Sequence, residues 1–205
     1  DSFVKIENLA KQCRQKNIDG IAVCDHNTIK GALEFKKIAP PDFKLIIGQE
    51  IKTCQGEIIG YFLFKEIPSG LSVFETIKQI KEQGGLAAIP HPFDKLRSWL
   101  LKINILKEII SLIDLIEIFN SRAIFDKYNH RALEFANTCN IPGIVGSDAH
   151  TFYELGRSYI EIGDFGGAKD FLEKLKTAKF HCQKSSPLVY LTTIAAKIKT
   201  TKMSF

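Results

Sequence analysis

A single α/β domain, its mainly parallel sheet closing as a barrel, is what this sequence predicts. Three observations carry the expectation. Short apolar runs of strand length alternate with stretches whose apolar residues recur every three or four positions, the pattern of strands and their crossover helices. One after another, these runs end on acids, imidazoles or amides. No repeat, low-complexity segment or long linker divides the chain.

Composition agrees. At 205 residues, 45% hydrophobic and 25% charged, the chain can bury a substantial core. It lacks the roughly 20 uninterrupted apolar residues of a membrane span and opens without the layout of a signal peptide, so a cytoplasmic protein with no membrane partner is expected. Five cysteines without a C-x-x-C pair argue against a disulfide framework or a thiolate zinc site. The net charge of +5 comes from lysines scattered over predicted helices, and only Lys197, Lys199 and Lys202 form a locally basic stretch.

Taken in order, Ile6, Leu9, Ala10 and Cys13 predict a helix closed by Asn17 and Gly20. Ile21 to Cys24 is a buried strand ending on Asp25-His26-Asn27. A helix from Gly31 to Lys37 stops at Pro40-Pro41, and Leu45 to Ile47 leads to Gly48-Gln49-Glu50. The short turn at Gly56 makes the next strand, Glu57 to Phe64, antiparallel to its predecessor. Ser72 and Glu75 have capping-box spacing, starting a helix that runs to Gly84-Gly85.

Leu86 to Ile89 is then a strand ending on Pro90-His91-Pro92, followed by a polar loop with Asp94, Arg97 and Trp99. A helix over 105–110 precedes a strand from Ile113 to Phe119, which carries Glu117 and ends at Asn120. Asn129, Ala132, Leu133 and Ala136 share a helix face. Ile144-Val145 ends on Gly146-Ser147-Asp148-Ala149-His150, Tyr159 to Ile162 is a last strand, and Ala168, Phe171, Leu172 and Leu175 predict its helix. Leu188, Leu191, Ala195 and Ile198 have the spacing of a peripheral helix.

In a barrel, the loops at the C-terminal strand ends build the active site. Asp25, His26, Glu50, His91, Glu117, Asn120, Asp148 and His150 all fall there. So many charges on one face would be costly to bury without cations, and a metal centre is the expectation. His130 and His181 lie outside these clusters and are read as structural, and Tyr61, Phe62, Phe64 and Phe93 as core.

These blocks resemble the polymerase and histidinol phosphatase (PHP) family of metal-dependent phosphoesterases, in particular its short, stand-alone members. The resemblance rests on Asp25-His26-Asn27-Thr28 with Gly31, Gly48-Gln49-Glu50-Ile51, Pro90-His91-Pro92-Phe93-Asp94 and Gly146-Ser147-Asp148-Ala149-His150, in that order. It implies a distorted (β/α)7 TIM-like barrel over residues 1–180, here without its first strand, and a C-terminal tail over 181–205. It also places the family's His-x-His motif just before residue 1 and matches Asp1 to that motif's acidic residue, so the chain as written is short of two imidazoles.

Carried over by position, the resemblance implies Asp1, His26, Glu50, Glu57, His91, Asp148 and His150 as metal ligands, with Glu50 able to bridge two ions. Asp25 is expected to orient a ligand imidazole, and Arg97 and Arg122 to clamp phosphate. Two or three divalent ions are implied, and mixed imidazole and carboxylate donors suit Zn²⁺, Mn²⁺ or Fe²⁺ better than Mg²⁺ or Ca²⁺. The expected activity is hydrolysis of a small phosphorylated metabolite, nucleotide or short oligonucleotide by metal-activated hydroxide. Exonuclease action on nucleic acid, and binding of a phosphorylated ligand or partner without turnover, are the alternatives.

Overall fold

A computed structural model describes residues 5–186 and Val189. The expectations for Asp1 and for a helix over 188–198 fall outside these residues. The order of elements is α1 (Ile6–Gln15), β1 (Gly20–His26), α2 (Lys30–Ile38), β2 (Lys44–Lys52), β3 (Glu57–Tyr61), α3 (Val73–Glu82), β4 (Leu86–Ile89), α4 (Ile103–Ile109), β5 (Leu115–Asn120), α5 (Asp126–Cys139), β6 (Gly143–Gly146), β7 (Tyr159–Glu161), α6 (Ala168–Leu175) and β8 (Lys179–His181).

The first six strands form one curled half-barrel sheet in chain order. β1 and β2 are parallel, as are β4, β5 and β6, but β3 runs against both of its neighbours. The reversal after β2 was legible in the tight turn at Gly56. β7 does not join this sheet as the last barrel strand: it pairs antiparallel with β8, Tyr159 opposite His181, in a separate two-stranded sheet. Among the described residues the half-barrel is therefore six strands wide, and the departure from the expected barrel without its first strand lies in β7, which leaves the sheet.

Local chemistry sets the helix boundaries. Ser72 Oγ accepts from Glu75 N at 3.1 Å and caps α3. The reciprocal half of the capping box is replaced by a forward contact, since the Glu75 carboxylate accepts from Gln79 Nε2 at 3.2 Å. Asn17 and Asn140, at φ +53° and +52°, close α1 and α5 in the left-handed conformation that asparagine tolerates. The predicted strand from Ile113 starts later, at Leu115, because a 3₁₀ turn over Ile110–Leu112 extends α4.

Alternation along the strands divides the core. Ile58, Ala87 and Ile116 face a large cluster with Ile77 and Ile80 of α3 and Leu106 and Ile109 of α4. Their neighbours Ile59, Ala88 and Leu115 face the opposite side, where Phe171 and Leu175 of α6 pack against them and Ile144. A third cluster joins Leu9 and Cys13 of α1 to Phe35 of α2, whose ring meets Phe43 edge to face at 5.6 Å. Because Leu86 and Leu115 begin their strands, α6 covers the inner face near its N-terminal strand ends, leaving the ends that carry the polar residues open. Among the described residues no helix is long and apolar enough to cross a membrane.

Candidate metal centre

Parallel pairing sets His26, the last residue of β1, opposite Glu50 of β2. His26 Nδ1 is 3.3 Å from Glu50 Oε2. Glu57 opens β3 beside them, and one ligand atom from each of His26, Glu50 and Glu57 lies within 4.8 Å of the other two. The second oxygen of Glu50, Oε1, is 3.2 Å from His91 Nε2, so one carboxylate stands between two imidazoles. Burial, reinforced by the Glu50 charge, pushes the Glu57 carboxyl above its usual range. At His91 burial disfavours the charged ring, but the hydrogen bond with Glu50 and the negative charges of Glu117 and Glu50 together outweigh it and the pKa rises.

The His91 ring is only 7% exposed, and its Nδ1 has no hydrogen-bond partner among the described residues. Buried polar atoms are rarely left unsatisfied. The other His91 nitrogen, Nε2, faces Glu50, and an incompletely satisfied imidazole beside that carboxylate fits the lining of a cation site.

Asp148 and His150 sit across the same opening, on the loop after β6. Asp148 Oδ2 is 2.5 Å from Arg97 Nη2 and 3.4 Å from Asn120 Nδ2. Burial pushes the Asp148 carboxyl up, but Arg97, His150 and Arg122 outweigh it and hold it at about 2. His91 and Asp148 have φ of +28° and +48°, a region costly for residues with a Cβ. Both strand ends thus accept backbone strain where a candidate ligand turns into the site.

Glu117 is a buried bracket between strand ends. Its Oε2 accepts from His91 N at 2.7 Å, and both of its oxygens are 3.2 Å from Asn120 Nδ2. Asn120 is fixed in turn by Asn129 of α5, which accepts from its amide at 3.0 Å and donates to its carbonyl at 3.2 Å. Gly146 makes room for this bracket, because a Cβ there would fall 2.3 Å from Glu117 Oε1. Asp25 accepts from the Gly31 amide, tying the end of β1 to α2, and a Cβ on Gly31 would fall 2.0 Å from its carboxylate.

The two arginines differ. Arg97 keeps a quarter of its side chain exposed at the mouth, between Asp148 and Asp94. Arg122 is 4% exposed, with Nε 3.1 Å from Glu154 Oε1 and Nη1 2.8 Å from His150 Nδ1. Neither Asn129 nor Glu154 was singled out from sequence. In the sequence Asn129 stands out only as part of a helix face, and the one signal for Glu154 is its capping-type spacing from Thr151, in a segment with no helix to cap.

His26, Glu50, His91, Asp148 and His150 line one cavity of about 1560 Å³, whose walls include Ile46, Ile59, Leu115 and Ile144. Beside the three-residue cluster the Trp99 carbonyl accepts from Glu57 N at 3.0 Å, and Lys52 Nζ sits 3.4 Å from the centre of the indole ring.

A curled α/β sheet bearing carboxylates and imidazoles across its strand ends defines the class: a half-barrel α/β protein with a candidate metal-binding cluster at the mouth. Comparison with known proteins makes this specific. A family model described as PHP-associated matches residues 126–180. The chain is 38% identical over 178 residues to the uncharacterized protein MJ0417 of Methanocaldococcus jannaschii, covering 82% of this chain and 70% of that one. It is 50% identical over 94 residues to MJ1587, uncharacterized, from the same organism, covering 45% of this chain and 55% of that one.

Among solved structures, a two-domain protein from Bacteroides vulgatus ATCC 8482, described as containing a predicted PHP-like metal-dependent phosphoesterase, superposes with a TM-score of 0.71 at 15% identity. That match covers 89% of this chain and 61% of the other. The chain belongs to the PHP family.

Proposed function

We propose that this chain is a metal-dependent phosphoesterase acting on a small phosphorylated metabolite, a nucleotide or a short oligonucleotide. The observation that carries the reading is Glu50, placed between His26 and His91 with Glu57 alongside. His26, Glu50 and Glu57 would hold one divalent ion, and the second oxygen of Glu50, beside His91, would be available to another, with Asp148 and His150 as further ligands on separate ions. Mixed nitrogen and oxygen donors favour Zn²⁺, Mn²⁺ or Fe²⁺. When bound, such ions supply a nucleophilic hydroxide near neutral pH and offset charge on the phosphoryl oxygens.

The remaining work falls to the protein's own groups. Arg97, charged and partly exposed beside Asp148, is placed to bind the phosphate with its planar donors. Asp25 fixes the β1 end, and with it His26, through the Gly31 amide. Arg122, buried against Glu154, contributes by contacting His150. The apolar walls of the cavity reduce competition from bulk water around the ester.

The test is metal analysis of the purified protein, followed by assay against a panel of phosphomonoesters, nucleoside phosphates and short single strands with Mn²⁺ or Zn²⁺. Bound transition metal with phosphate release supports the proposal. Protein that takes up neither metal overturns it, and metal uptake without turnover on the whole panel favours ligand binding alone.

A further inference from the structure

The Glu154 carboxylate is fully buried where two loops of the site meet. Its Oε2 accepts from His150 N at 3.1 Å and from Thr151 Oγ1 at 3.0 Å, and its Oε1 is 3.1 Å from Arg122 Nε. Arg122 in turn brings Nη1 to 2.8 Å from His150 Nδ1, and that same ring nitrogen is 2.9 Å from the Asp148 carbonyl oxygen.

The neighbours of Nδ1 make opposite demands, Arg122 on one side and on the other the Asp148 carbonyl, with the carboxylate Oδ1 of Asp148 3.6 Å from the same nitrogen. A guanidinium only donates, and a backbone carbonyl only accepts. If Nδ1 carries a lone pair toward Arg122, the proton of the neutral ring sits on Nε2 and His150 cannot ligate through that nitrogen. If Nδ1 carries the proton and donates to Asp148 O, Nε2 keeps its lone pair. An uncompensated guanidinium favours the first state, and a carboxylate paired with it favours the second. Buried ion pairs contribute little net stability, so the placement of this one against a candidate ligand calls for a positional role.

We propose that Glu154 is a positioning residue for the metal centre. By pairing with Arg122 and holding the His150 amide, it keeps the imidazole in the Nδ1–H form, bonded to the Asp148 carbonyl, with Nε2 as the ligand nitrogen. The inference rests on the reading of His150 as a metal ligand.

The experiment is side-chain ¹⁵N spectroscopy of the histidines in metal-free protein, followed by Zn²⁺ titration. The wild type is expected to show His150 as the Nδ1–H tautomer. Glu154→Gln is expected to move it toward Nε2–H and to weaken one Zn²⁺ site by about 10-fold or more. Removing the guanidinium as well, in Glu154→Gln with Arg122→Met, is expected to restore the Nδ1–H signature, a rescue that a purely structural role would not produce. Should Glu154→Gln not fold, Glu154→Asp, which keeps the charge but shortens its reach, is expected to give the same tautomer shift. An unchanged tautomer in the folded single variant overturns the inference whatever the metal does. A wild type that binds no Zn²⁺ refutes the metal reading separately, because the tautomer is read without metal.

Discussion

Arg97 Nη2 lies 2.5 Å from Asp148 Oδ2, joining the loop after β4 to the loop after β6 across the mouth of the site. The pair gives Arg97 two duties, charge compensation for a buried carboxylate and a cation at the entrance. Arg97→Met should therefore raise KM for a phosphomonoester by about 10-fold or more while lowering kcat less, the pattern of lost ground-state binding. A steady-state comparison of KM and kcat checks this, and an unchanged KM removes Arg97 from phosphate binding.

The same contact has a pH signature. Arg97 and its neighbours depress the Asp148 carboxyl from 3.8 to about 2. A depressed acid stabilises the folded state fully above its unfolded value, so the contribution is complete above about pH 4 and lost as pH falls through 2. It amounts to about 2 kcal/mol. Glu57 and Glu117 act in the opposite sense: burial raises both, so their contribution is present at low pH and lost as pH rises through the raised values. Urea unfolding of metal-free protein from pH 5 to 2 should therefore show a steeper loss for the wild type than for Asp148→Asn. Parallel curves would remove the predicted linkage.

Metal uptake should divide by strand. His26→Ala and Glu50→Gln both disrupt the three-residue cluster, but only Glu50 also approaches His91. Elemental analysis after loading with Mn²⁺ or Zn²⁺ is expected to show one equivalent lost for His26→Ala and a larger loss for Glu50→Gln. Equal losses would argue that Glu50 serves a single ion.

Gly146 is a packing requirement of the site. A Cβ at this position meets Glu117 Oε1 at 2.3 Å, and Glu117 is bonded to the His91 amide. Gly146→Ala should displace that carboxylate and cost about 1–3 kcal/mol, the range for overpacking a buried site. Chemical denaturation supplies the number, and a histidine spectrum with the His91 signal displaced supplies the location.

Much of the site could be read along the chain because its residues sit at the ends of short apolar runs. His26, Glu50, His91, Asp148 and His150 each follow a run whose burial the composition already dictated, so their convergence required only that the strands be parallel neighbours or nearly so. Glu117 and Asn120 were visible as polar residues on a strand, but not the bracket they form with His91 and Asn129. Glu154 carried almost no signal. Its meaning comes from Arg122, 32 positions earlier, and no periodicity or cap relates the two.

The sequence by itself determined the alternation of elements, the buried stripes on the helices and the chemistry at the strand ends, because these follow from the side-chain periods of 3.6 and 2 residues and from turn chemistry. Tertiary structure decided the rest. The antiparallel β3–β4 pairing, the departure of β7 to join β8 and the cover of α6 over the inner face depend on contacts between segments far apart in sequence. So do the partners of each charge. Which base an arginine meets, or which nitrogen of a histidine faces a carbonyl, is set by distances of about 3 Å that only the folded chain fixes.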